Sequence, residues 1–392
     1  MTAPAVSPIR NSRAASADPN QLIHVLYVID QLCEAGGAER LLLKMIRLLP
    51  KDRFRCSVIT FKMRADLEAF HNFPCEIHVF PIQRTWDLQA VRTACKLAAF
   101  IRSQKVSVVH TFFETSDLWA GTIARLFSRC ALISSRRDMG ILRAPKHRIA
   151  YRLVNRLFHE VHAVSDSVRQ HCIAEGGLDA RRAITVYNGV SVPKRRSGRL
   201  PQRCLLPEGR KIITAVGHVR SVKGYDVLIR AATLVLEKEP DVLFVIAGDN
   251  HDPDHYQELQ RMVAERRIEK NVLFLGAVED VPGVLRESDV FVLPSRSEGL
   301  SNALLEAMAL ELPCVATTVG GNAEVVDDEK SGYLVPSEDA PALAGGLLKL
   351  LGDPHEAARM GRRGREIVEA VFSEQAMIDK LVRSYERVLR NR

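Results

Sequence analysis

The 392-residue chain is 46% hydrophobic and 26% charged, with a formal net charge of +8: an ordinary soluble composition, long enough for two domains that each bury a core. No uninterrupted apolar run approaches the roughly 18 to 20 residues that a membrane-spanning helix needs. Eight cysteines stand singly, at Cys33, Cys56, Cys75, Cys95, Cys130, Cys172, Cys204 and Cys314, which argues against a zinc site or disulfide framework and for a reducing cytoplasm.

Residues 1–20 are rich in Ala, Ser, Pro and Asn without an apolar segment, and read as a flexible tail rather than a signal peptide. Gln21 to Ile29 predicts a buried strand, Asp30 to Gly37 a loop ending in Gly36 and Gly37, and Ala38 to Leu49 a helix. A Gly pair at such a turn is either a plain turn or a place where the backbone can approach a phosphate; it is not the G-x-G-x-x-G fingerprint. Further strands are predicted at Arg55 to Phe61, Glu76 to Phe80, Val106 to His110, Ala131 to Ser135, Val161 to Val164 and Ile184 to Tyr187. Helical patterns lie between them, such as Leu88 to Ser103 and Ser116 to Phe127. Repeated alternation of this kind implies a parallel sheet. His110 closes its predicted strand, which puts it at the carboxyl end, where open α/β sheets bind ligands. From Pro145 to Phe158, Lys146, Arg148, Arg152 and Arg156 alternate with Ile149, Leu153, Val154, Leu157 and Phe158, with Arg143 just ahead. This basic amphipathic helix is either a solvated face over a core-facing stripe or a contact for an anionic membrane or phosphate-bearing acceptor.

Pro193 to Arg203 is basic and punctuated by Pro and Gly, as a linker between domains would be. The charge changes sign near it: the first 200 residues hold 31 Lys and Arg against 16 Asp and Glu, the remainder 24 against 31. The basic first half should face something anionic. A fresh unit then begins with the strand Lys211 to Val216, the loop Gly217 to Gly224 and the helix Tyr225 to Glu237. Lys223 stands just before that helix, where an ammonium can meet a phosphate as a point charge. Strands follow at Val242 to Ala247, Val272 to Leu275 and Gly332 to Val335, and helices at Ala340 to Leu351, Pro354 to Val371 and Ser373 to Leu389. The last helix has one apolar face, carrying Met377, Ile378, Leu381, Val382, Tyr385 and Val388.

The most informative stretch runs from Ser288 to Glu324. Asp289 to Leu293 and Leu312 to Ala316 read as buried strands flanking a loop and a helix from Ser301 to Leu310. The loop carries Glu298 and the helix Glu306, eight positions on. The first-turn amides of that helix, with Gly299, Leu300, Ser301 and Asn302, form a site for an anion such as a diphosphate. Gly299 would let the main chain come close to it. Glu306 could then accept bonds from a diol such as a ribose, and Glu298 from hydroxyls at the other end of the ligand.

This stretch resembles the signature of the retaining glycosyltransferases of family 4, in which Glu-x7-Glu is followed by a Gly-Gly loop ending in Glu, here Gly320, Gly321 and Glu324. Glu311 stands where the family usually has Gly, and Ala323 where it has Pro. The resemblance, from about Ile23 onward, implies an α/β GT-B fold of two doubly wound Rossmann-like domains facing a cleft. Its expected divisions are a tail at 1–20, an acceptor-side domain at 21–193, a linker at 194–207, a nucleotide-sugar domain at 208–372 and a helix at 373–392 crossing back to the first domain. The Gly36–Gly37 turn would approach the donor phosphates, and Val278 would meet the base through its backbone. His110 would contact the transferred sugar or the reacting oxygens. Lys223 would serve the phosphates together with either His218, which directly follows Gly217 where the family has Arg, or Arg220.

The activity so implied is transfer of a hexose-type sugar from a UDP- or GDP-sugar to a glycan or lipid-linked acceptor, without metal or cofactor. Its setting would be the cytoplasm, with peripheral membrane contact and no nucleic-acid partner. An inactive nucleotide-sugar-binding scaffold and a sugar-nucleotide epimerase on the same fold are the competing readings. A dehydrogenase is disfavoured by the missing glycine fingerprint.

Overall fold

The computed structural model describes residues 22–33, 36–64, 73–140, 145–193, 206 and 209–391. The predicted tail and nearly all of the predicted linker lie outside these residues. Strands β1 (Ile23–Leu32), β2 (Phe54–Met63), β3 (Glu76–Val79), β4 (Val108–Phe112), β5 (Ala131–Arg136), β6 (Glu160–Ala163) and β7 (Ala183–Thr185) form one parallel sheet in the order β3-β2-β1-β4-β5-β6-β7. Strands β8 (Ile212–Val216), β9 (Leu243–Ala247), β10 (Val272–Gly276), β11 (Val290–Leu293), β12 (Cys314–Thr317) and β13 (Gly332–Val335) form a second in the order β10-β9-β8-β11-β12-β13. Each is doubly wound, and its strand order reverses once, at β1/β4 in the first and at β8/β11 in the second. Such switch points open a crevice at the carboxyl ends of the strands.

The central strands are Val-, Ile- and Leu-rich because helices cover both faces. β11 and β12 are buried along their whole length. The helix Asn302–Ala309 is shorter than its apolar pattern suggested: Ser301 caps it by accepting from the Leu304 amide at 3.3 Å, and it ends ahead of Glu311. Glu311 has φ +64°, a left-handed conformation that favours glycine, and this accounts for the family's usual Gly there. The seven described cysteines are free thiols.

The last helix, Glu374–Arg390, leaves the second domain and packs on the first sheet, burying Met377, Ile378, Leu381, Tyr385 and Val388 against Val25, Tyr27 and Phe54. Its polar ties are as specific. Arg387 donates to both oxygens of Glu160, at 2.6 and 2.9 Å, and the Ser384 hydroxyl donates to Oε2 at 2.5 Å. Burial pushes the Glu160 carboxyl up, but hydrogen bonds from His162, Arg387 and Ser384 outweigh it and bring the group down to about 2. Burial also keeps His162 neutral, so Arg387 is the charged partner at pH 7. The stabilisation is therefore full above the unfolded carboxyl value and is lost as pH falls from about 4.3 toward 2. Arg387→Gln should cost about 1.5–3 kcal/mol at pH 7. In thermal melts the gap between parent and variant should close below pH 4; a gap independent of pH would show that the pair is not what the acid removes.

Candidate active site

β8 and β11 are neighbours at the second switch point, so the loops that follow them meet. Lys223 Nζ donates to Glu298 Oε1 at 2.7 Å although 75 residues separate them, and Ser295 Oγ donates to the same oxygen at 2.7 Å. The pair is mostly buried, with side chains 23% and 10% exposed. The local backbone is built for this approach. Ser221–Lys223 is a single 3-10 turn ending at Gly224, whose φ is +66° and whose Cβ, if present, would lie 2.1 Å from the Pro294 carbonyl oxygen. Arg296 clamps the two loops together: its amide donates to the Val222 carbonyl at 2.8 Å and its guanidinium makes two 2.8 Å bonds to Asp226. Arg296 was not singled out in the sequence, and its only signal there is its place two residues before Glu298.

At the start of the next helix the Ser301 hydroxyl is engaged as the cap, which leaves the Asn302 and Ala303 amides to an outside acceptor. Gly299 has a different reason from the one expected. A Cβ there would meet the Arg137 carbonyl oxygen of the first domain at 2.1 Å, so the residue permits close packing between domains. Leu300 is buried in the core. Glu306 is half-buried with no hydrogen-bond partner among the described residues. Burial raises its carboxyl, opposed by Lys44 and Arg40 on the first-domain helix Gly37–Leu48. Gly36 caps that helix, and a Cβ added at Gly37 would lie 3.6 Å from the Asn302 side-chain Nδ2, so Gly37 faces the Glu306 helix.

One further placement differs from expectation, and one position stays apart. His110 is not at the carboxyl end of its strand: β4 continues through Thr111 and Phe112, and the ring is fully buried. Its nitrogens meet the Tyr385 hydroxyl at 2.8 Å and Ser135 Oγ at 2.9 Å, and burial holds its pKa well below the usual value. It serves the core beneath the last helix and faces no cleft. Arg220 is exposed and its guanidinium meets His251 Nδ1 at 3.0 Å, while the His218 ring lies 4.1 Å from the same His251 ring. Both stay close to the Gly217 loop. Val278 follows β10 at the far side of the second sheet, packed on its core. Among the described residues no group of three or more His, Cys, Asp or Glu is placed to hold a metal ion.

Arg220 and His218 can be separated by substitution. Arg220→Ala should lower turnover about 10-fold or more and His218→Ala less at neutral pH, because only the guanidinium is charged at every physiological pH. Steady-state kinetics of the two variants checks this, and the reverse order would give the phosphate role to the imidazole.

Residues 198–367 match the family model of the glycosyl transferases group 1, and residues 35–193 that of glycosyltransferase family 4. The UDP-Gal:alpha-D-GlcNAc-diphosphoundecaprenol alpha-1,3-galactosyltransferase of Escherichia coli is 26% identical over 340 residues, 81% of this chain and 85% of that one. A glycosyltransferase of Rickettsia africae superposes with a TM-score of 0.84 at 19% identity, covering 94% of this chain and all of that one. HepE of Anabaena, solved in complex with UDP, gives 0.79 at 19% identity, over 93% of this chain and all of that one. At that identity the structural likeness concerns the fold.

Proposed function

The chain belongs to family 4 of the glycosyltransferases and has their GT-B fold, and from that premise we propose that it transfers a sugar, with retention, from a UDP- or GDP-sugar to a glycan or lipid-linked acceptor. The observation that carries this reading is the meeting of Lys223, Glu298 and the open start of the helix Asn302–Ala309 at one switch point. In it the donor diphosphate lies over that helix start, opposite the Gly36–Gly37 turn, and draws Lys223 from Glu298. Glu298 is then released to accept sugar hydroxyls, and Glu306 accepts the ribose. The bond from the anomeric carbon to the diphosphate breaks, the acceptor oxygen bonds to the same face of that carbon, and the acceptor proton passes to the departing phosphate oxygen. Charge on the leaving group grows as this happens, and Lys223, Arg220 and the helix amides stabilise it without a divalent ion.

Relatives support the donor and acceptor classes: the E. coli galactosyltransferase is named for a UDP-sugar and a diphosphoundecaprenol acceptor, and HepE holds UDP. A thermal-shift screen of UDP- and GDP-sugars tests the reading. A donor at about 100 times its dissociation constant should add about 2.7 kcal/mol of stability, and a panel with no shift would count against it.

We place the acceptor at a membrane surface. Among the described residues no helix is long and apolar enough to cross a bilayer, but the helix Pro145–Val154 suits its interface. Ile149 and Leu153 do not face the core as an ordinary amphipathic helix would have them; they are 66% and 63% exposed, beside exposed Arg152 and Arg156, while Tyr151 and Phe158 turn inward. Arg143 lies outside the described residues, as do the side chains of Lys146 and Arg148. With about 1 kcal/mol per cation near an anionic surface, changing Arg152 and Arg156 to Gln should weaken liposome binding about 30-fold. Co-sedimentation indifferent to both lipid charge and these substitutions would leave a soluble acceptor.

A further inference from the structure

The loop Gly320–Gly321 ends in a carboxylate that reaches out of its own domain. Glu324 Oε2 accepts from the Asp166 amide and Oε1 from the Ser167 amide, each at 2.7 Å, at the beginning of the first-domain helix Asp166–Ala174. The Ser167 hydroxyl lies 2.8 Å from Oε1 and 2.9 Å from the Gly320 carbonyl oxygen, and the Tyr187 hydroxyl donates to Oε2 at 3.0 Å. A carboxylate bonded to first-turn amides also meets the positive end of the helix, so these are charge-assisted bonds.

Around this contact three backbones pass with no room for side chains. An added Cβ would meet the Glu298 carbonyl oxygen at 1.7 Å from Gly320, the Gly299 carbonyl oxygen at 2.6 Å from Gly321, and the Arg137 carbonyl oxygen at 2.1 Å from Gly299. The main chain that carries Glu298 is thus held between the Gly-Gly loop and the first domain. Asn188 Nδ2 makes a second tie nearby, donating to Asn302 Oδ1 at 2.6 Å.

We propose that Glu324 is a positioning residue: by binding the first amides of the helix Asp166–Ala174 it fastens the Gly-Gly loop to the first domain, and so fixes Glu298 and Lys223 in register for transfer. The proposal rests on the transferase reading for its consequence, though not for its geometry. The four hydrogen bonds of the Glu324 carboxylate all go to the first domain and none to the domain that carries Glu298 and Lys223, so its loss should be felt in the alignment of the site more than in the folding of either sheet.

The test compares Glu324→Gln with Val168→Ala. The first puts an amide nitrogen opposite a backbone donor. The second thins the buried core beside the same helix and leaves the carboxylate bonds in place. Nucleotide release from UDP-glucose and GDP-mannose gives kcat and KM, and amide hydrogen exchange reads residues 165–167 and 298–300. Glu324→Gln should lower kcat about 10- to 100-fold, leave the donor KM within about 3-fold, and speed exchange in both segments. Val168→Ala should keep kcat within about 2-fold of the parent. The proposal is overturned by a Gln variant as fast as the parent, by a loss confined to KM, by an equal loss in Val168→Ala, or by unchanged exchange at 298–300. A parent that releases nucleotide from neither donor counts against the transferase reading; the exchange data then decide the joint alone, supporting it if Glu324→Gln speeds both segments and overturning it if 298–300 is unchanged.

Discussion

Lys223→Ala should lower turnover by about 100- to 1,000-fold, the usual loss when one donor to a developing oxyanion is removed. Among the described residues Lys223 is the one ammonium paired with Glu298, and in the proposed reaction the diphosphate gains charge only as the glycosidic bond breaks, so the loss should fall on kcat more than on the donor KM. The variant also leaves Glu298, with a side chain 10% exposed, to Ser295 alone among the described residues. A stability loss of about 1–3 kcal/mol is expected from that buried deficit, and kinetics must be taken well below the melting temperature of the variant. Lys223→Arg separates charge from geometry: a planar guanidinium keeps the charge but not the point contact, and should recover only part of the rate. An alanine variant within a few-fold of the parent would remove Lys223 from the reaction.

Much of this site could be read from the chain because its signals are local. A buried apolar run, a loop with Gly299, a Ser cap and a helix bearing Glu306 are all contiguous, and Lys223 stands before a glycine that the structure holds at positive φ. The nearness of Lys223 and Glu298 needs one more step, the topology of a doubly wound sheet, which brings the loops after β8 and β11 together. The strand does not end at His110 because Thr111 and Phe112 are both good strand formers, so β4 continues past the point where the apolar run becomes less regular. The partners of Glu324 could not have been read at all. Two of its four hydrogen bonds come from backbone amides, which carry no residue signature, and two from the Ser167 and Tyr187 hydroxyls, all in another domain. The same holds for Gly299, whose need for glycine comes from a carbonyl oxygen 162 positions earlier.

Glu306→Ala should raise the donor KM about 10- to 100-fold, corresponding to the 1.5–3 kcal/mol of a hydrogen bond to a charged group, with kcat within a few-fold of the parent. The carboxylate stands in the structure with no hydrogen-bond partner among the described residues, and the charges of Lys44 and Arg40 on the first domain act on it. Those two cations oppose the effect of burial and favour the ionised form, which has only acceptor sites and suits a diol. A ribose contact is made equally in the ground and transition states, so its loss is uniform binding energy and appears in KM. A donor lacking the ribose 2′-hydroxyl sharpens the test. It should bind the parent less well than the normal donor, yet bind Glu306→Ala no worse than the normal donor does, because the partner of that hydroxyl is already gone. Equal discrimination in parent and variant, or a collapse of kcat with KM untouched, would move Glu306 from the ribose to the reacting centre.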